Sequence, residues 1–257
     1  MQKSNANPVI TRYDFTTAQP LSERARIGLL VLESDQTMEW EMRLLTEAAG
    51  VALYHARLAN DTVVTADTLA QMETELPIAA ALLPTYLGLS AIGYGCTSGA
   101  TVIGEDRVTA IIKQSHPDIP SSNPLTASKA ALKAMGVTRL ALLTPYSPEV
   151  TEAMQARFEE AGIAITAVGS FYEESDIVVG KIDPASILKA TIDLGRSEDC
   201  DGVFISCTSL RAAGIIADAE KELCKPVTAS NHALAWHLLR LAGIDDKIDG
   251  YGRLFQT

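Results

Sequence analysis

The run Ile92-Gly93-Tyr94-Gly95-Cys96-Thr97-Ser98 recurs in altered form as Val203-Phe204-Ile205-Ser206-Cys207-Thr208-Ser209. Each copy is a short apolar stretch, a cysteine, two hydroxyl residues and then a helical pattern. A strand passing to a helix through such a turn belongs to a βαβ unit, whose parallel strands are covered by helices on both faces. A chain that writes this turn twice, about half its length apart, is constrained to two similar α/β halves.

Hydrophobic periodicity fills in the rest. In the first half it predicts strands over 27–32, 51–58 and 91–95, a short fourth strand ending at Pro120, and helices over 38–49, 65–83, 99–114 and 126–135. The same order then restarts, with strands over 139–143, 163–168, 203–205 and 227–229 and helices over 148–161, 184–194, 209–223 and 232–241. The expected organisation is an N-terminal arm over 1–26, a first α/β half over 27–137 carrying Cys96, and a second over 138–257 carrying Cys207 and a C-terminal tail. Each half is expected to be a parallel four-stranded sheet flanked by helices. Ser122-Asn123 and Ser230-Asn231 each precede the last helix of a half, which reads either as shared capping chemistry or as part of the duplication.

Several function classes are excluded at this stage. No apolar run approaches the about 20 residues that span a bilayer, so no membrane association is expected. A net charge of −11 argues against nucleic acid as a partner. The polar amino terminus lacks a basic stretch followed by an apolar core, so a cytoplasmic location is expected. The four cysteines, Cys96, Cys200, Cys207 and Cys224, include no Cys-x-x-Cys pair, and free thiols are expected rather than disulfides or a zinc site. His232 and His237 do not align on one helix face, so no metal is expected. Gly93, Gly95 and Gly99 have the wrong spacing, after the wrong strand, for a dinucleotide fingerprint.

In open parallel sheets, ligands bind beyond the carboxyl ends of the strands, where both Cys-Thr-Ser turns fall. A turn that opens a helix presents free N–H groups, expected to favour a thiolate at the cysteine and a carboxylate beside it. Thr97, Ser98, Thr208 and Ser209 would add donors to a carboxylate clamp. A lone free cysteine is more often an inert core residue, and Cys200 and Cys224 are read that way. For Cys96 and Cys207 the recurrence of context reverses the reading, and both are candidate catalytic groups.

These turns, together with Ser34-Asp35-Gln36-Thr37-Met38-Glu39 after the first strand and Thr144-Pro145-Tyr146 after the fifth, resemble the aspartate/glutamate racemase superfamily, in its maleate isomerase and arylmalonate decarboxylase branch. The resemblance runs over nearly the whole length from Ile27. It is closest to the ectoine-utilisation members, in the stretches 91–99, 142–146, 206–213 and 231–239. It implies a pseudo-twofold α/β fold with the active site between the halves, and chemistry without a cofactor on a small carboxylic acid. In the isomerase branch the first-half cysteine adds to substrate and the second-half cysteine handles a proton, roles that would fall to Cys96 and Cys207. In racemases one thiolate removes an α-proton and the opposite thiol returns one. Decarboxylases of this branch have glycine at the first position, so Cys96 makes simple decarboxylation the lesser alternative. Tyr146 matches a carboxylate-binding tyrosine, the alternative being an ordinary residue of a Pro-flanked turn.

Two departures bear on the substrate. Asp35, and less securely Asp176 ahead of Asp183-Pro184, stand where maleate isomerases have asparagine. Ionised aspartate only accepts hydrogen bonds and repels a dianion. An amino-acid-like substrate, such as an acetylated or hydroxylated diaminobutyrate, fits the change better than maleate. Against this, Asp35 reads equally as a helix cap and Asp176 as part of a solvated acidic loop. Maleate cis-trans isomerisation stays open as an alternative, as does a non-catalytic small-ligand binding protein, which has no need of two thiols. A homodimer or higher homo-oligomer is the expected assembly.

Overall fold

The computed structural model describes residues 10–47 and 50–257. The first half contains strands β1 (Ala25–Leu32), β2 (Val51–Leu58), β3 (Ala91–Gly95) and β4 (Ser121–Ser122), with helices α1 (Met38–Leu45), α2 (Ala66–Leu82), α3 (Thr97–Ile103), α4 (Glu105–Ser115) and α5 (Pro124–Ala134). The second contains β5 (Arg139–Thr144), β6 (Ala164–Ser170), β7 (Gly202–Ile205) and β8 (Val227–Ala229), with α6 (Pro148–Glu160), α7 (Asp176–Val179), α8 (Pro184–Gly195), α9 (Ile216–Leu223) and α10 (Ser230–Leu241). All strand pairs are parallel, in the orders β2-β1-β3-β4 and β6-β5-β7-β8. The second order is the first repeated in its own numbering, so the two halves share one topology.

The central strands are apolar on both sides, as sheets covered on both faces require. Leu29, Leu30, Ile92, Leu142 and Phe204 are fully buried. One hydrophobic cluster runs from Leu30 and Ile92 of the first sheet to Leu142 and Phe204 of the second, and α5 packs against α10 across the pseudo-twofold. The halves therefore share a core. No helix among the described residues is long and apolar enough to cross a membrane.

Four expectations need correction. The helix expected over 99–114 is two helices, broken at Gly104, whose φ of 95° interrupts the helical path. The helix expected over 209–223 begins only at Ile216, after a 3-10 turn at Ala213–Ile215, so Cys207 does not open a helix as Cys96 does. The fourth strand lies just beyond Pro120 rather than ending there. Asn123 caps α5 by accepting from Thr126 N at 2.9 Å, whereas Asn231 sits inside α10 and caps nothing. The last positions of the helix expected over 38–49, and positions 1–9 of the expected arm, lie outside the described residues; α1 itself ends at Leu45.

Candidate active site

The two inner strands of each sheet deliver their carboxyl ends to the junction between the halves. Asp35 follows β1, Cys96 follows β3, Tyr146 follows β5 and Cys207 follows β7. Strand register makes this unavoidable: Val31 pairs with Gly95 and Leu143 with Ile205, so the turns that follow leave each sheet side by side.

Cys96 is the N-cap of α3. Its Sγ accepts a hydrogen bond from Gly99 N at 3.2 Å and lies 3.6 Å from Ser98 Oγ. Glycine at 99 leaves room for Tyr94 Oη, the atom a Cβ there would meet first, ahead of Met72 Cε at 2.6 Å and Cys96 Sγ at 3.0 Å. Tyr94, fully buried on β3 two residues before Cys96, has its ionisation pushed up by burial and by the neighbouring Cys96. Nothing in the sequence pattern marked Tyr94 as more than a core residue of β3.

Cys207 is built differently. Its φ of 109° is outside the regions favoured by residues with a side chain, and the turn is held by partners from elsewhere. Cys207 N donates to Ser230 Oγ at 2.9 Å, and that hydroxyl also meets Thr97 Oγ1 at 2.8 Å. Thr37 Oγ1 donates to Ser209 O at 2.8 Å and Thr208 Oγ1 to Gly95 O at 3.3 Å. Three of these four bonds cross between the halves.

Both cysteines line one small enclosed cavity, with Thr97, Ser98, Tyr146, Asp176 and Thr208 in its wall. The rest comes chiefly from a segment not anticipated in the sequence, with Asn60, Asp61, Val63 and Val64 between β2 and α2 and Leu69 and Met72 of α2. Among the described residues, no lysine or arginine lines it. Its free volume, about 20 Å³, is room for one water.

Asp176, at the start of α7, is buried in the cavity wall. Its Oδ1 accepts from Ser209 Oγ at 2.6 Å and its Oδ2 from Ser34 Oγ, one serine from each half. Asp35 and Ser209 stand behind the wall. The Asp35 carboxylate accepts from Thr37 N and Met38 N, both at 2.7 Å, and so caps the entrance to α1. Burial pushes its carboxyl above the usual range, against the lowering effect of those two amides. Tyr146 Oη accepts from Ser206 Oγ at 3.4 Å, and after burial it is the two cysteines that most raise its ionisation.

Burial works against the expected bias toward thiolate. Burial pushes the Cys96 thiol up to about 11, although Ser98 and Gly99 N pull it down. Cys207 is pushed further up, by burial and then by the charge of Asp176. The donors at the start of α3 offset only part of the cost of removing Cys96 from water, and Cys207 opens no helix.

The family model for arylmalonate decarboxylase matches residues 64–255, about three quarters of the chain and both cysteine turns. The chain belongs to the arylmalonate decarboxylase family. Arylmalonate decarboxylase of Bordetella bronchiseptica is 32% identical over 139 residues, which span 53% of this chain and 58% of that protein. Maleate isomerase of Nocardia farcinica is 28% identical over 246 residues, spanning 90% and 95%. A solved structure of the Nocardia farcinica maleate cis-trans isomerase, a cysteine-to-serine variant with a covalently bound succinylcysteine intermediate, superposes with a TM-score of 0.83 at 25% identity, covering 90% of this chain and 98% of that one. The family resemblance and the two-sheet fold expected from the sequence are both borne out.

Proposed function

We propose that this member of the arylmalonate decarboxylase family is a two-cysteine isomerase or racemase. It acts next to the carboxylate of a small amino-acid-like acid, in ectoine or hydroxyectoine utilisation. The observation that carries the reading is the convergence of Cys96 and Cys207 on one cavity whose wall contains the buried carboxylate of Asp176 and no basic side chain. The succinylcysteine intermediate of the Nocardia relative supports a reacting thiol in this fold. Free thiols suit a reducing, cytoplasmic setting.

In this reading the substrate carboxylate takes hydrogen bonds from Thr97, Ser98, Thr208 and Tyr146, and its ammonium or amide N–H meets Asp176. Asp176 is among the charges that hold both thiols up. A cation placed against it cancels that effect, so the substrate favours ionisation of its own base. Cys96, the less elevated thiol, is the group that ionises. Its thiolate removes the α-hydrogen as a proton, the bonding pair passes into the carboxylate as an enediolate, and the S–H of Cys207 returns a proton to the other face. The cycle ends with Cys96 as thiol and Cys207 as thiolate, and proton return through solvent restores the start.

Maleate isomerisation is the second reading, favoured by relatives that match along nine tenths of the chain. There the Cys96 thiolate adds to the alkene, the central bond rotates and the thiolate is expelled, so nothing is gained or lost. Decarboxylation is disfavoured by Cys96. Chiral chromatography of N-acetylated and hydroxylated diaminobutyrates after incubation, with headspace analysis for carbon dioxide and assay of fumarate formed from maleate, separates these outcomes. Racemised or epimerised product with no gas is expected; carbon dioxide from a malonate with intact turnover in Cys96→Ser would replace this reading with decarboxylation.

A further inference from the structure

Residues 206–212 carry Cys207, yet they form neither strand nor helix. Their shape has to be imposed from outside. One anchor comes from α1 in the other half. Glu41, 4% exposed, accepts from Ala213 N through Oε1 at 2.8 Å and from Asn231 Nδ2 through Oε2 at 2.8 Å. The same Asn231 Nδ2 donates to Thr208 O at 2.8 Å. One carboxylate thus grips the segment at both ends, directly at Ala213 and through Asn231 at Thr208, the residue after the thiol. It does this from within the α1–α10 contact, behind the cavity wall, and touches neither cysteine.

We infer that Glu41, acting through Asn231, is a positioning residue that fixes the Cys207 turn and so sets where that thiol stands in the cavity. Ala213 N and Asn231 Nδ2 both donate to this carboxyl, so its ionised form, which burial shifts to pH above about 7, accepts at both oxygens. Glutamine has the same shape but turns one of those oxygens into a donor facing Asn231 Nδ2. A buried donor left unpaired destabilises the arrangement around it, and here that arrangement is the turn. Asn231, which the sequence pattern equated with the cap Asn123, has this separate duty because Thr208 O and Glu41 both lie within its reach.

The inference takes from the proposed function only that Cys207 reacts, so its test reads the thiol itself. Wild-type and Glu41→Gln protein are treated with iodoacetamide under native conditions at pH 8, where Glu41 is ionised, and modification of each cysteine is followed by peptide mass spectrometry. The expected result is about tenfold faster modification of Cys207, with the buried Cys96 and Cys200 within about twofold of wild type. Asn231→Ser, which loses the reach to Thr208 O, reproduces the pattern and decides the matter if the glutamine variant does not fold. An unchanged Cys207 rate, or an equal rise at all three buried thiols, overturns the inference. In turnover both variants lower kcat by about tenfold or more with KM within about twofold, the mark of a misplaced group rather than lost binding. Selective labelling at Cys207 with unchanged turnover supports the positioning and counts against the two-thiol chemistry.

Discussion

Val63, after β2, and Ser175, ahead of α7, pair as an antiparallel bridge between the two halves. Val64 N to Glu174 O and Asp176 N to Thr62 O, both 2.9 Å, flank it. Val63, Val64 and Asp176 all belong to the cavity wall, so the bridge shuts a space that holds no more than a water. On the proposed function, this bridge is the expected point of substrate entry, opening as its two segments part.

This predicts that locking the bridge blocks turnover. Bridged antiparallel residues have Cα atoms about 4.5 to 5.5 Å apart, within disulfide range. The double variant Val63→Cys/Ser175→Cys, oxidised and verified by peptide mapping, should lose about tenfold or more of its kcat/KM and regain it with dithiothreitol. Full activity in the verified disulfide form would place access elsewhere.

Asp176 is predicted to set substrate charge. Asp176→Asn removes the partner of a substrate cation and the charge that raises both thiols. For an amino-acid-like acid, KM should rise about tenfold or more, equivalent to about 1.4 kcal/mol, while binding of maleate improves. Inhibition constants for maleate against wild type and variant check this; unchanged discrimination would detach Asp176 from recognition.

Glu41 predicts a pH effect on stability. Burial raises its carboxyl to about 7 from an ordinary 4.5. A group raised in the folded state favours folding while protonated, so its contribution is full below pH 4.5 and is lost as pH climbs through about 7. The loss is about 3 kcal/mol. Urea unfolding at pH 4.5, 6 and 8 should show wild type losing stability relative to Glu41→Gln across that window. Parallel pH profiles would mean that Glu41 titrates normally.

Much of this was readable in the chain because it is written locally. β2, β3 and β8 fall where the apolar runs put them, and Asp35 accepts from backbone N–H groups just ahead of and at the start of α1, whose N-cap is Thr37. Cys96 sits at the strand-to-helix turn that its motif implies because strand, cap and helix are consecutive. The second copy misleads because its shape is tertiary. The chain from Ser209 reads as helix, but ahead of Ile216 it is not, and Thr37, Glu41 and Asn231 bond to it there. The β2–α2 segment carried no periodic signal, and its place in the wall follows from pairing with residues more than a hundred positions away.

Solvent hydrogen exchange at the substrate stereocentre tests the central claim most directly. In D2O, wild-type protein acting on its amino-acid-like acid should place deuterium at the α-carbon, seen by proton NMR, and Cys96→Ser and Cys207→Ser should each lower the rate by about a hundredfold or more. Undiminished exchange in the Cys96→Ser/Cys207→Ser double variant would contradict the two-thiol account.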